Sequence, residues 1–256
     1  MGFIHDRLDM SERVAIVTGG GRNLGRGIAL GLADAGAAVV IAEIDEETGP
    51  AMEQELRDAG HDALFIHTNV RDADSVDALI AGTVERFGRL DVMVANAGGM
   101  FQAPALDISK RGFEAVIDLN LIGTWLCNTA AARAMIEGDR GGSIINMSSQ
   151  NALYGALNGP HYGAAKAGIL GLTLSVAAEW AEHGIRVNAV APGGRTARAG
   201  AAPREGQLAG GGDPEYIVIV AAATVYLASD LASWVTGHTL VVDDGGTFTN
   251  AAPRGA

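Results

Sequence analysis

The feature that most restricts this chain is a regular alternation of short, continuously apolar runs with longer helical stretches. The runs are Arg13–Thr18, Ala38–Ile44, Ala63–His67, Asp91–Ala95, Ser143–Met147, Ile185–Val190 and Thr239–Val242. They are rich in Val and Ile and barely alternate between apolar and polar residues. A strand with one face in water would carry a polar residue at every second position, so these strands are expected to be covered on both faces. Helical patterns fall between them, near 24–35, 46–59, 73–87, 109–137, 161–183 and 215–228. Parallel strands joined by right-handed helical crossovers satisfy this order. The expected fold class is α/β: a single-domain, doubly wound parallel sheet of about seven strands with helices on both faces. No Pro- or Ser-rich linker divides residues 1–256.

Composition removes several function classes. The net charge of -12 argues against a nucleic-acid partner, which needs clustered positive charge. One cysteine forms no internal disulfide and no thiolate metal cluster, and the six histidines show no spacing that pairs them as metal ligands, so no metal is expected. No apolar run approaches the roughly 18 residues of a membrane span. Residues 1–12 carry acids and lack a leader pattern, so a cytoplasmic location without a membrane partner is expected. Glycine is abundant, 36 residues, without a three-residue period. The excess is expected to serve tight turns and close backbone approach.

The first strand runs into Thr18-Gly19-Gly20-Gly21-Arg22-Asn23-Leu24-Gly25 and then a helix. Strand, glycine loop and helix N-terminus together make an anion site, because small residues admit a phosphate to free N–H groups and the positive end of the helix dipole. Glu43 ends the second strand, roughly 20 residues on, where dinucleotide folds place an acid on the adenosine ribose. A carboxylate there accepts from the 2′- and 3′-hydroxyls and repels a 2′-phosphate, which favours NAD over NADP. The neighbouring Asp45, Glu46 and Glu47 are less well placed. Arg22 pulls towards NADP, unless it pairs locally.

Further along, Asn96-Ala97-Gly98-Gly99 follows the fourth strand, Asn120 lies within a helical stretch, and Ser148-Ser149 follows the fifth strand. Tyr162 and Lys166, four apart, share one helical face. Pro192-Gly193 and Asp244-Gly245-Gly246 close the series, and Ser149 lies thirteen residues before Tyr162. With these elements in this order, the chain resembles the short-chain dehydrogenase/reductase family over almost its whole length.

The resemblance implies a Rossmann-like, dinucleotide-binding catalytic domain that interconverts a secondary alcohol and a ketone by hydride transfer. Tyr162 would be the acid/base, its pKa lowered by Lys166 and the nicotinamide charge; Ser149 would bond the substrate oxygen. Asn120 would bend its helix and hold a water. Gly19, Arg22, Asn23, Leu24 and Gly25 would line the pyrophosphate, Asn69 and Val70 the adenine, and Asn96, Ala97 and Gly98 the adenosine side. Lys166 would hold the nicotinamide ribose beside Tyr162, and Pro192, Gly193, Arg195 and Thr196 would form the wall by the nicotinamide. The family also implies a homo-oligomer, usually a tetramer.

The chain departs from the family pattern in three segments. Asn23 replaces a glycine, at a place where asparagine tolerates left-handed backbone. Asn69 replaces an aspartate. Arg195 and Ala197 stand where an apolar residue and a threonine are usual, with Thr196 one place early. A flexible substrate loop is expected at about 193–212, carrying Arg195, Arg198 and Arg204. Met100, Gln150, Asn151 and His161, with Phe101 and Tyr154, are expected to line the substrate pocket; the polar members would suit a hydroxylated small molecule. The apolar stretch Tyr216–Leu227 reads either as a buried helix or as a subunit interface. Two other functions are weighed: a reductase of 3-oxoacyl or enoyl thioesters, and a dinucleotide-binding regulator without turnover. The full set of Ser149, Tyr162 and Lys166 favours carbonyl chemistry over enoyl reduction and argues against a regulator without turnover.

Overall fold

The structure, a computed structural model, describes residues 2–193 and 214–246. Seven strands form one parallel sheet: β1 (Val14–Thr18), β2 (Ala38–Glu43), β3 (Ala63–His67), β4 (Val92–Ala95), β5 (Gly142–Met147), β6 (Ile185–Pro192) and β7 (Thr239–Val242). Their order across the sheet is β3-β2-β1-β4-β5-β6-β7. The chain winds outward from β1 to β3 and then returns to place β4 beside β1. That reversal opens a crevice at the C-terminal ends of β1 and β4.

The helices are α1 (Phe3–Leu8), α2 (Asn23–Asp34), α3 (Thr48–Asp58), α4 (Ala73–Phe87), α5 (Lys110–Ile117), α6 (Gly123–Glu137), the single turn α7 (Asn151–Tyr154), α8 (Pro160–Trp180) and α9 (Pro214–Ala228). Side chains along each strand divide between two cores. Val17, Val39, Ile41, Val94, Ile145 and Val190 meet Ile28 and Leu32 of α2, Leu56 of α3, and Val220 and Leu227 of α9. Ile16, Val40, Met93, Ile144 and Val187 point the other way, onto Leu79 of α4, Ala131 and Met135 of α6, and Trp180 of α8. Both faces are therefore apolar, which is why the strand sequences barely alternate.

Two elements differ from the sequence expectation. The helical stretch near 109–137 is divided by a π turn, Asp118–Ile122, between α5 and α6. The stretch Tyr216–Leu227 is one side of each reading: Val220, Ala221, Thr224 and Leu227 are buried against the sheet and α2, while Val218 and Ile219 are 66% and 50% exposed. No helix among the described residues is long and apolar enough to cross a membrane.

Candidate active site

A cleft of about 720 Å³ lies over the C-terminal ends of the strands, at the reversal between β1 and β4. Gly19, Arg22, Asn23, Leu24, Gly25, Glu43, Asn69 and Val70 line its β1–β3 end. Asn96, Ala97, Gly98, Met100, Ser149, Tyr162, Lys166 and Pro192 line the rest.

At the β1–β3 end the wall is largely backbone. The loop after β1 turns into α2 through Asn23, whose φ of +50° is the left-handed conformation that asparagine adopts more readily than other non-glycine residues. A Cβ on Gly25 would run into the carbonyl of Gly19, so only glycine lets these two segments touch. The first turn of α2 brings unpaired N–H groups to this wall. Thr18 and Asn96 sew the loop to the neighbouring turn. The Thr18 hydroxyl oxygen accepts from the N–H groups of Asn96 and Ala97, both at 2.9 Å, and Asn96 Nδ2 donates to the carbonyls of Thr18 (2.8 Å) and Gly19 (3.2 Å).

Glu43 is buried and fixed by main chain. Its Oε1 accepts from Ile44 N–H (2.9 Å) and Asp45 N–H (3.3 Å), and its Oε2 from Gly21 N–H (3.3 Å). Asp45 turns away, accepting from Thr48 and Glu47 N–H groups; these bonds hold its carboxyl below the usual range, with a small further contribution from the Arg22 charge. Arg22 itself is exposed at the rim, with its charge near Asp45. At the far side Asn69 Oδ1 accepts from Arg71 N–H at 3.2 Å, which shapes the turn into α4.

The other end is built from ionisable side chains. Lys166 is buried, and its Nζ donates to Met147 O at 2.7 Å. The Ser148 hydroxyl donates to Lys166 O at 2.9 Å, so α8 and the end of β5 are tied together twice. Burial lowers the Lys166 pKa from 10.5 to about 8. Its Nζ sits 5.5 Å from the centre of the Tyr162 ring. The hydroxyls of Tyr162 and Ser149 face the same stretch of the cleft, and Ser149 stands near enough to favour the ionised phenol. Burial nevertheless pushes the Tyr162 phenol above its ordinary value, and Ser149 opposes this only in part. The lowered phenol expected from Lys166 is thus not what the protein's own groups produce; in so dry a site, desolvation outweighs them.

Asn120 sits in the π turn and is fully buried. Its Nδ2 donates to Gly99 O (2.8 Å) and Val116 O (2.9 Å), and its Oδ1 accepts from Gly99 N–H (3.3 Å). The turn frees the Val116 carbonyl from the helix ladder, and the side chain takes it up. A Cβ on Gly98 would lie 2.6 Å from Asn120 Oδ1 and 3.4 Å from Lys166 Nζ, so this glycine lets the two approach the same backbone.

Of the residues expected to line a substrate pocket, Met100 lies on the cleft wall. Gln150 and Asn151 do not. Gln150 turns its Oε1 inward, against Gly193, where it is buried with no hydrogen-bond partner among the described residues. Asn151 opens α7, its N–H donating to the Ser149 hydroxyl at 3.2 Å. His161 is placed away from the wall altogether. Its ring is fully buried, 4.5 Å edge-on to Phe101 and 6.2 Å from Phe113, and its Nδ1 accepts from Tyr162 N–H at 2.8 Å. Apolar neighbours on both sides and a free amide at the helix start draw the ring inward. Arg195, Thr196, Arg198, Arg204 and the loop beyond Gly193 lie outside the described residues. Among the wall residues absent from the sequence expectation are Leu119, from the π turn, and Tyr216, from the first turn of α9. Tyr216 is the one hydroxyl-bearing aromatic at the head of an apolar helix, and that contrast was the available signal.

Residues 13–207 match the short chain dehydrogenase family. A cis-4-hydroxycyclohexanecarboxylate dehydrogenase of Sinomonas cyclohexanicum is 44% identical over 250 residues, covering 93% of this chain and 97% of that enzyme. A 3-oxoacyl-[acyl-carrier-protein] reductase of Synechocystis sp. is 39% identical over 244 residues, covering 92% and 97%. Among solved structures, a short-chain type dehydrogenase/reductase from Mycobacterium marinum superposes with a TM-score of 0.87 at 33% identity, covering 96% of this chain and 99% of that one.

Proposed function

The chain belongs to the short-chain dehydrogenase family and is an oxidoreductase acting on CH–OH groups, and we propose that it uses NAD(H) to interconvert a ring-borne secondary alcohol and its ketone. The family binds nicotinamide dinucleotides; the choice of NAD over NADP rests on Glu43. Its buried carboxylate is held at the cleft wall by three main-chain N–H groups, so it cannot swing aside for a 2′-phosphate. Arg22, the cation that would argue otherwise, is exposed at the rim, where its charge also acts on Asp45. The backbone cradle at Gly19, Asn23 and Gly25 suits a pyrophosphate, with Asn69 and Val70 beside the adenine and Asn96–Gly98 along the adenosine side.

The bound nicotinamide supplies the hydride acceptor. Tyr162 takes the hydroxyl proton, and Ser149, beside it on the cleft wall, donates to the substrate oxygen. Lys166 bonds the nicotinamide ribose and lends positive charge one helical turn from the phenol, and Asn120 holds the π turn against the Gly98–Gly99 backbone. Since burial by itself raises the phenol, alcohol oxidation should accelerate as pH rises, whereas ketone reduction, which uses the protonated phenol, should not.

The substrate class is supported by the hydroxycyclohexanecarboxylate relative and by the wall itself. With Gln150 and His161 turned inward, the reaction end presents Met100 and Leu119 beside the hydroxyls. A 3-oxoacyl thioester is the second reading, supported by the Synechocystis relative. We further assign residues 1–256 to one cytoplasmic domain that forms a homo-oligomer, with the exposed Val218, Ile219 and Trp234 as apolar surface suited to a second copy. The test is NADH formation across cyclohexanol-type alcohols, linear secondary alcohols and 3-hydroxyacyl thioesters. Preference for the ring alcohols is expected; turnover with thioesters alone would select the second reading.

A further inference from the structure

Three fully buried amide atoms on α6 and β5 have no hydrogen-bond partner among the described residues: Nδ2 and Oδ1 of Asn128, and Oδ1 of Asn146. The two side chains occupy the same layer at the same level. Met135 of α6 lies over Gly142 of β5 so closely that a Cβ on the glycine would run into its sulfur. Asn128 lies seven residues, or two turns, before Met135, so it shares that face of α6 and stands about 10 Å further along the helix. Asn146 lies four residues beyond Gly142, an even number that keeps it on the same side of the sheet, about 13 Å along the strand. Because the crossover helix runs antiparallel to its strands, both displacements point the same way. Neither residue lines the cleft.

The hydrogen bonds already made fix what is missing. Thr173 of α8 donates its hydroxyl to Ile169 O (2.8 Å), so it only accepts from Asn146 Nδ2 (3.0 Å). That leaves Asn146 presenting an acceptor. Asn128 presents a donor beside an acceptor in either orientation of its amide. Buried polar groups are almost always paired. The partner these atoms require both donates and accepts, carries no charge and is small enough for a site closed to solvent. A cation would face the Asn128 N–H₂ and an anion the two oxygens; water meets every condition.

We propose that Asn128 and Asn146 bind internal water. One molecule accepts from Asn128 Nδ2 and donates to Asn146 Oδ1, and Asn128 Oδ1 accepts from the same or an adjoining molecule. The site ties α6 to the β5–α8 pair that positions Ser149, Tyr162 and Lys166.

A crystal structure of the full-length protein, at a resolution that shows ordered solvent, tests this directly. A density peak within about 3.2 Å of both amides is expected. Amides bonded directly to each other, or a dry gap between them, would overturn the proposal. Thermal unfolding of Asn128→Leu, Asn146→Leu and the double variant tests it independently. Leucine has nearly the shape of asparagine and no polar atom. Were Asn128 dry, removing its amide would raise Tm. With a bridging water, the substitution strands Asn146 Oδ1, and Tm should fall by about 2–10 °C. In the double variant no stranded atom remains, because Thr173 keeps its bond to Ile169 O. Its loss of Tm should therefore be smaller than the sum of the two single losses. A raised Tm in Asn128→Leu, or strictly additive losses, would overturn the proposal. The wild-type density decides the question by itself if a variant does not fold.

Discussion

The two ends of the cleft are built on opposite principles. At the β1–β3 end, the polar side chains of Glu43, Asn96 and Thr18 are satisfied by the protein: Glu43 accepts from three main-chain N–H groups, and Asn96 and Thr18 bond the loops around it. At the β4–β6 end, ionisable side chains are held dry with few partners. Lys166 has one bond from its Nζ, to Met147 O, and the pKa values of both Lys166 and Tyr162 are displaced by burial. Fully paired groups are rigid and stable, which suits gripping a constant part of a ligand. Desolvated ionisable groups destabilise the fold but carry displaced pKa values, Lys166 towards working pH and Tyr162 away from it until a ligand's charge arrives, and such displacement marks sites of chemistry. The contrast expects mutations at one end to change affinity and cofactor choice, and mutations at the other to change turnover and stability.

The largest separation should come from Lys166→Met, with kcat falling about 10²- to 10⁴-fold, the usual range for losing an acid/base arrangement. Near-normal turnover in a steady-state assay would detach Lys166 from the reaction. Next is Glu43→Ala. Hydrogen bonds to a charged acceptor suggest that kcat/KM for NAD should drop about tenfold or more while NADP improves. A wild type that already prefers NADP would contradict the role given to Glu43. The smallest effect is on stability. Folded Lys166 loses its proton near pH 8, whereas an unfolded lysine keeps it to about 10.5. Between those values the unfolded chain binds more protons, so wild-type stability must rise with pH relative to Lys166→Met; below pH 8 the cost of the buried charge is fully present. Denaturant unfolding of both proteins at pH 7.5 and 9.5 should show the difference shifting towards wild type by on the order of 1–2 kcal/mol. A constant difference would mean that Lys166 is not desolvated.

The fold was legible in the sequence because every strand lies between two helical layers and so keeps one unbroken apolar signature, as in Ala38–Glu43. The motif residues were legible because their spacing follows the elements that carry them: Tyr162 and Lys166 lie one turn apart on α8, and Ser149 lies just beyond β5. The π turn at Asp118–Ile122 was not visible as periodicity, since one added residue within a helix alters the pattern less than ordinary variation does; only the resemblance pointed to a bend at Asn120. His161 and Gln150 were misleading for another reason. Polar residues beside catalytic ones suggest a pocket, but their direction is set by three-dimensional neighbours, here Phe101, Phe113 and Gly193. Tyr216 was hidden inside an apolar run, where its hydroxyl counted for nothing until α9 was seen to start at the cleft.

The division between a gripping end and a reacting end is tested most directly by Tyr162→Phe, with NAD affinity and single-turnover rate measured on the same preparation. The account expects the NAD dissociation constant to stay within about twofold and the rate to fall by about 10²- to 10⁴-fold. A retained rate, or a loss of NAD affinity as large as the loss of rate, would contradict it.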